Sequence, residues 1–136
     1  MVICLNKAKV YTKFQNQKHL LYNYVTNILL DRILTKKIVS SKDIILIASK
    51  RETNKFLNQN FQEYLKSQIS SNHKVKFSIE IKTPGQAKPL QAVDFSSWAI
   101  FRKYERKDLS YYNILKKVIV EENSLFPDTT NPSRFL

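Results

Sequence analysis

At 136 residues, 43% of them hydrophobic, the chain is sized for one domain with a core of its own, and its one cysteine excludes an internal disulfide and a cysteine zinc site. A formal charge of +12 and a pI near 9.8 make a polyanion the natural partner. No apolar run approaches the ~18 residues of a membrane span, and the start of the chain lacks a signal-peptide pattern, so a soluble cytoplasmic protein with no membrane partner is expected.

The charge is uneven. Residues 1–40 carry seven Lys or Arg against one acid, residues 41–88 nine against four, and residues 89–136 seven against six. Lys outnumbers Arg 18 to 5. A/T-rich coding would write the same excess of Lys, Asn, Ile, Tyr and Phe, and base reading or bidentate phosphate contact favours Arg, so backbone attraction without sequence specificity is the expectation.

In chain order, Val2–Leu5 is a short apolar run with Val10 and Tyr11 beyond it, read as an edge-like strand or strand pair, with Cys4 a small buried hydrophobe. From Asn16, a plausible N-cap, Leu21, Tyr24, Val25, Ile28, Leu29 and Arg32 recur at helical spacing up to about residues 35–37. Residues 43–48 form a continuous Ile-rich run, too short for a buried helix, which reads as a strand covered on both faces. Thr53 or Asn54 caps a helix to about Gln68. Val75, Phe77, Ile79 and Ile81 then alternate with polar residues as a half-buried strand.

Residues 83–89 are a breaker loop whose Gly85, the only glycine, is expected to supply a backbone angle that other residues resist. Pro89 opens the principal helix, residues 90–105, and a last helix is expected over residues 110–122, capped by Asp108 or Ser110. One α/β domain over residues 1–126 follows, with an irregular tail at 127–136. Parallel strands with helical crossovers are the expected core.

Few residues offer chemistry. His19 and His73 stand apart in polar contexts, and no phosphate loop, dinucleotide fingerprint, nucleophile elbow or His-Glu-x-x-His is present. Ser49, Lys50 and Arg51 follow the apolar strand at its carboxyl end, where open α/β sheets bind ligands; they are either a phosphate site or an ordinary solvated loop. Lys50, Arg51 and Lys88 are the candidate nucleic-acid contacts. Asp94, at the border of a buried helix face, is either a capped or solvated aspartate or a carboxylate with a function, because burying it unpaired costs free energy. Metal-dependent phosphoryl transfer needs at least two such acids, and Asp94 is the one good candidate.

The stretch Leu90-Gln91-Ala92-Val93-Asp94-Phe95, with Trp98-Ala99-Ile100-Phe101-Arg102-Lys103-Tyr104-Glu105 and then Tyr111-Tyr112, resembles the C-terminal signature of the domain-of-unknown-function 3800 family. The resemblance implies a ribonuclease H-like mixed sheet flanked by helices and a metal-dependent nuclease activity. It implies Asp94 as a metal ligand with Gln91 as its catalytic companion, and Mg²⁺ or Mn²⁺ as the cofactor. DNA or RNA is the implied partner. The family's opening strand, with its Asp-Glu-Ser type acidic motif, has no counterpart here. A truncated or split member is therefore expected, one that takes a complementing N-terminal segment or dimerises through an uncovered strand edge. A non-catalytic nucleic-acid-binding or protein-interaction module on the same scaffold is the alternative.

Overall fold

The computed structural model describes residues 1–10, 16–50 and 54–125. Its elements are strand β1 (Val2–Leu5), helix α1 (Lys18–Thr35), strand β2 (Asp43–Ser49), helix α2 (Lys55–Asn72), strand β3 (Lys76–Lys82), helix α3 (Lys88–Arg106), the short helix α4 (Tyr112–Leu115) and strand β4 (Glu122–Leu125). The fold is mixed α/β. Its strands form two separate parallel pairs, β1 with β4 and β2 with β3, where a single mixed sheet was expected.

The β2–β3 pair carries the core. Its register sets Ile44 opposite Phe77, Leu46 opposite Ile79 and Ala48 opposite Ile81, so one face of both strands is apolar. Helices α1 and α2 pack on that face, and Leu30, Ala48, Phe61, Leu65, Ile69 and Ile79 close the interior, with Leu65 and Ile69 fully buried. Tyr22 joins the core by stacking on Phe61, centroids 5.2 Å apart. Asn23, the one buried polar residue among the described residues, donates from Nδ2 to Asn60 Oδ1 at 2.9 Å, which meets the cost of burying an amide. The second face of β2 is less protected than its apolar sequence implies. Ile45 is 57% exposed and Ile47 37%, so the expectation of cover on both faces is corrected.

Local chemistry explains most boundaries. Asn54 caps α2 by accepting the Phe56 N–H at 2.9 Å, whereas α1 starts at Lys18 after Gln17, with no side-chain cap and no role for Asn16 as one. Pro89 sits in the first turn of α3, where its missing N–H is harmless. Helix α3 stops at Lys107, whose left-handed φ of 55° breaks the helical path.

Two further expectations fail. Gly85 has no positive φ, and a Cβ there would meet nothing nearer than Thr83 Oγ1 at 3.9 Å. The helix expected over residues 110–122 is confined to Tyr112–Leu115 and a 3₁₀ turn at Lys116–Val118, and the chain then extends into β4. The β-branched run Val118-Ile119-Val120 lowers helix propensity, and pairing with β1 supplies the backbone partners that an extended segment needs.

Two substitutions check this account. Leu65→Ala is expected to cost about 2–5 kcal/mol in chemical denaturation, because the site is sealed and cannot collapse. Gly85→Ala is expected to leave stability unchanged or raise it by up to about 1 kcal/mol, and a larger loss in the same experiment would restore the special backbone angle.

Candidate nucleic-acid interface

Of the sequence-predicted residues, Lys50, Lys88 and Gln91 lie at the carboxyl end of the β2–β3 pair. Lys50 leaves β2 with its backbone N–H bonded to the Lys82 carbonyl at 2.8 Å, which ties the two strand ends together. The chain after Lys82 makes a compact turn: Thr83 N–H donates to Gln86 Oε1 at 2.9 Å, and Gln86 and Ala87 N–H return to the Thr83 carbonyl. Lys88 then begins α3, and Gln91 Nε2 reaches back to the Pro84 carbonyl at 3.1 Å. Lys50, Lys88 and Gln91 thus border the same turn. Asp94 follows one helical turn further along α3. Arg51 lies outside the described residues.

All four of these described side chains are exposed, so Asp94 stands in solvent instead of at the border of a buried face. Lys50, Lys88 and Asp94 form no ion pair among the described residues. Among the described residues Asp94 has no second carboxylate beside it that would complete a divalent-metal site. No group of three His, Cys, Asp or Glu side chains converges among the described residues, and Gln91 is held in place by the bond from its Nε2 to the Pro84 carbonyl.

The other acids explain why the cations face outward. Glu121 accepts from Arg32 Nη1 at 2.8 Å and pairs with Lys36, bonds that join the start of β4 to the end of α1. Glu122 accepts Lys103 Nζ at 2.9 Å, Tyr112 OH at 2.7 Å and the Tyr104 OH, which clamp β4 onto α3 and α4. Asp108 accepts Arg102 Nε at 2.8 Å and the Ser110 N–H at 3.0 Å, while Arg102 lies over the Trp98 and Tyr111 rings. Asp31 bonds His73, and Asp43 and Glu80 pair with Lys76 and Lys82. Most acids in the described residues are thus paired within the chain, Glu121, Glu122 and Asp108 in partly buried positions and Asp31, Asp43 and Glu80 at the surface, and the described lysines outside these pairs stand in solvent.

These contacts shift titration. Hydrogen bonds from Lys36, and then from Asn123 and Arg32, hold the Glu121 carboxyl down at about 2. Hydrogen bonds from Ser110 and Arg102 hold Asp108 at about 2. Burial would raise Glu122, but the Lys103, Tyr104 and Tyr112 donors outweigh it and the carboxyl lies below its ordinary value. Burial, reinforced by Glu122, pushes the Cys4 thiol up. The Glu121-Glu122 pair escaped sequence reading because it falls in a segment expected to be helical. Adjacent acids directly after the apolar run Val118-Ile119-Val120 were the available signal.

Comparison with family models, curated proteins and solved structures finds no match for this chain. No helix among the described residues is long and apolar enough to cross a membrane.

A group whose folded-state pKa is depressed contributes stability that is present above its unfolded value and lost as pH falls through the folded one. For Glu121 that window runs from about 4.5 down to about 2. Thermal melts across pH 6 to 2 are expected to show falling stability over this window, and Glu121→Gln to flatten the fall while lowering the melting temperature at pH 6.

Proposed function

We propose that this protein binds nucleic-acid backbone without sequence specificity, using exposed lysines at the carboxyl end of β2–β3 as part of its contact surface. The observation that carries the reading is the outward-facing surplus of cations. A formal charge of +12 remains while the described acids are largely engaged in internal ion pairs and hydrogen bonds. Phosphate contact by lysine ammonium groups releases condensed counterions and needs no bidentate geometry. Lys50 and Lys88 are the first contacts to test, since each is exposed and neither has an acidic partner among the described residues.

The scaffold is proposed to be ribonuclease H-like on the strength of the residue 90–105 pattern and of the order strand, helix, strand, helix, strand, helix from β1 to α3. That pattern also favours a second reading, Mg²⁺- or Mn²⁺-dependent phosphodiester hydrolysis with Asp94 as one ligand. It would require further carboxylates from a complementing segment.

Fluorescence anisotropy with labelled 20-nucleotide single strands and duplexes tests the first reading. Association constants are expected to fall linearly with salt on logarithmic axes between 50 and 200 mM KCl, and the double variant Lys50→Glu, Lys88→Glu to bind more weakly with a shallower slope. Salt-independent binding, or none at 50 mM, would sink it. The same oligonucleotides incubated with Mg²⁺ or Mn²⁺ separate the second reading: cleavage by the unaltered protein that Asp94→Asn abolishes would establish hydrolysis.

A further inference from the structure

Helix α3 carries an aromatic cluster that its own packing leaves partly uncovered. Phe95 and Trp98 stand three residues apart on one side of the helix with ring centroids 6.0 Å apart, and Tyr111 closes edge-on, 4.5 Å from Trp98 and 6.5 Å from Phe95. The Arg102 guanidinium lies 5.1 Å from the centre of the Trp98 ring and 5.5 Å from that of Tyr111, and Asp108 Oδ2 accepts from its Nε and Nη2 at 2.8 Å. The rings are thereby held in place. These contacts tie α3 to the residues leading into α4, which accounts for the buried part of each ring. They leave the rest unexplained, because Phe95 is still 42% exposed and Trp98 41%.

We infer that this cluster is a stacking platform for the bases of a single-stranded nucleic acid, which rests on the backbone-binding reading above and narrows it to unpaired strands. A ring fixed in place with part of its surface in water offers a base a π-face whatever the base's identity, whereas a duplex keeps its bases stacked on one another. Position agrees with that occupant. Lys88 precedes Phe95 by two helical turns, about 10 Å along the axis, and falls on the same side of α3, so a strand whose bases reach the rings carries its phosphates past an exposed lysine. Asp94 and Glu105 fall on the opposite flank of the Phe95 and Trp98 row, where they repel phosphate and turn the strand toward Lys88. Net charge favours the same occupant. A second copy of the chain would set +12 against +12, whereas a polyanion is drawn to the surface around the rings.

Trp98 is the only tryptophan, so its emission reads the site directly. The full chain is titrated at 50 mM KCl with a 20-nucleotide DNA strand, with its duplex, and with an equally long strand carrying tetrahydrofuran in place of every base, affinities being read by anisotropy of an end label. The base-bearing strand is expected to quench Trp98 and to bind about fivefold or more tighter than the abasic strand, and neither the abasic strand nor the duplex to quench it. Phe95→Ala is expected to narrow that difference while the abasic strand binds as before; should the variant fail to fold, the three nucleic acids on the unaltered protein decide. Equal affinity for the two single strands, or equal quenching by the duplex, overturns the platform and leaves backbone binding standing. Absence of binding to all three overturns both. A Trp98 emission shift that follows protein concentration without DNA also overturns the platform, by making a second copy its cover.

Discussion

A pair of parallel strands holds its shape only where its faces are covered, because neither strand can be joined to the other without a crossover and neither is stable bare in water. In this protein one face of β2–β3 meets that constraint fully. The register that aligns Ile44, Leu46 and Ala48 with Phe77, Ile79 and Ile81 makes a single apolar surface, and Phe61, Leu65 and Ile69 of α2 seal it together with Leu30 of α1. The carboxyl-end turn, the start of α3 and the positions of Lys50 and Lys88 all follow from that packing. The opposite face is only partly sheltered, and the exposed Ile45 and Ile47 mark where the cover ends.

The second strand pair depends on a different interaction. Strands β1 and β4 are four residues each, too short to stand on backbone bonds alone. The carboxylates of Glu121 and Glu122 anchor them, one to Arg32 and Lys36 of the α1 end and the other to Lys103, Tyr104 and Tyr112. Ion pairs in partial burial are useful here mainly because each acid has several donors, so neither charge is left uncompensated. This arrangement also bears on the surface. The two anchoring acids take no part in neutralising the outer lysines, and with 23 cations against 11 acids the exterior is strongly basic.

The site was partly legible before the fold was known. The excess of lysine over acid in the first two thirds of the chain pointed to a basic surface, and the carboxyl end of an apolar strand pointed to Lys50. Asp94 was harder. Helical spacing put it beside apolar neighbours, but those neighbours, Val93 and Phe95, are themselves exposed, so the periodicity described an amphipathic helix whose cover is incomplete. Gly85 shows the reverse error: a lone glycine in a loop suggested a special backbone angle, and the turn around Thr83 and Gln86 uses none.

What the sequence determined by itself was local. The Ile run of β2, the period-two pattern of β3, the Asn54 cap and the proline at the head of α3 are dictated by sterics and polarity within a few residues, and those elements stand where the pattern put them. Tertiary structure alone decided that residues 122–125 extend and pair with residues 2–5, because those segments lie at opposite ends of the described chain and only folding brings them together. It also decided which acids are anchors and which lysines face solvent. Each of these depends on distances between residues remote in sequence, which no local periodicity encodes.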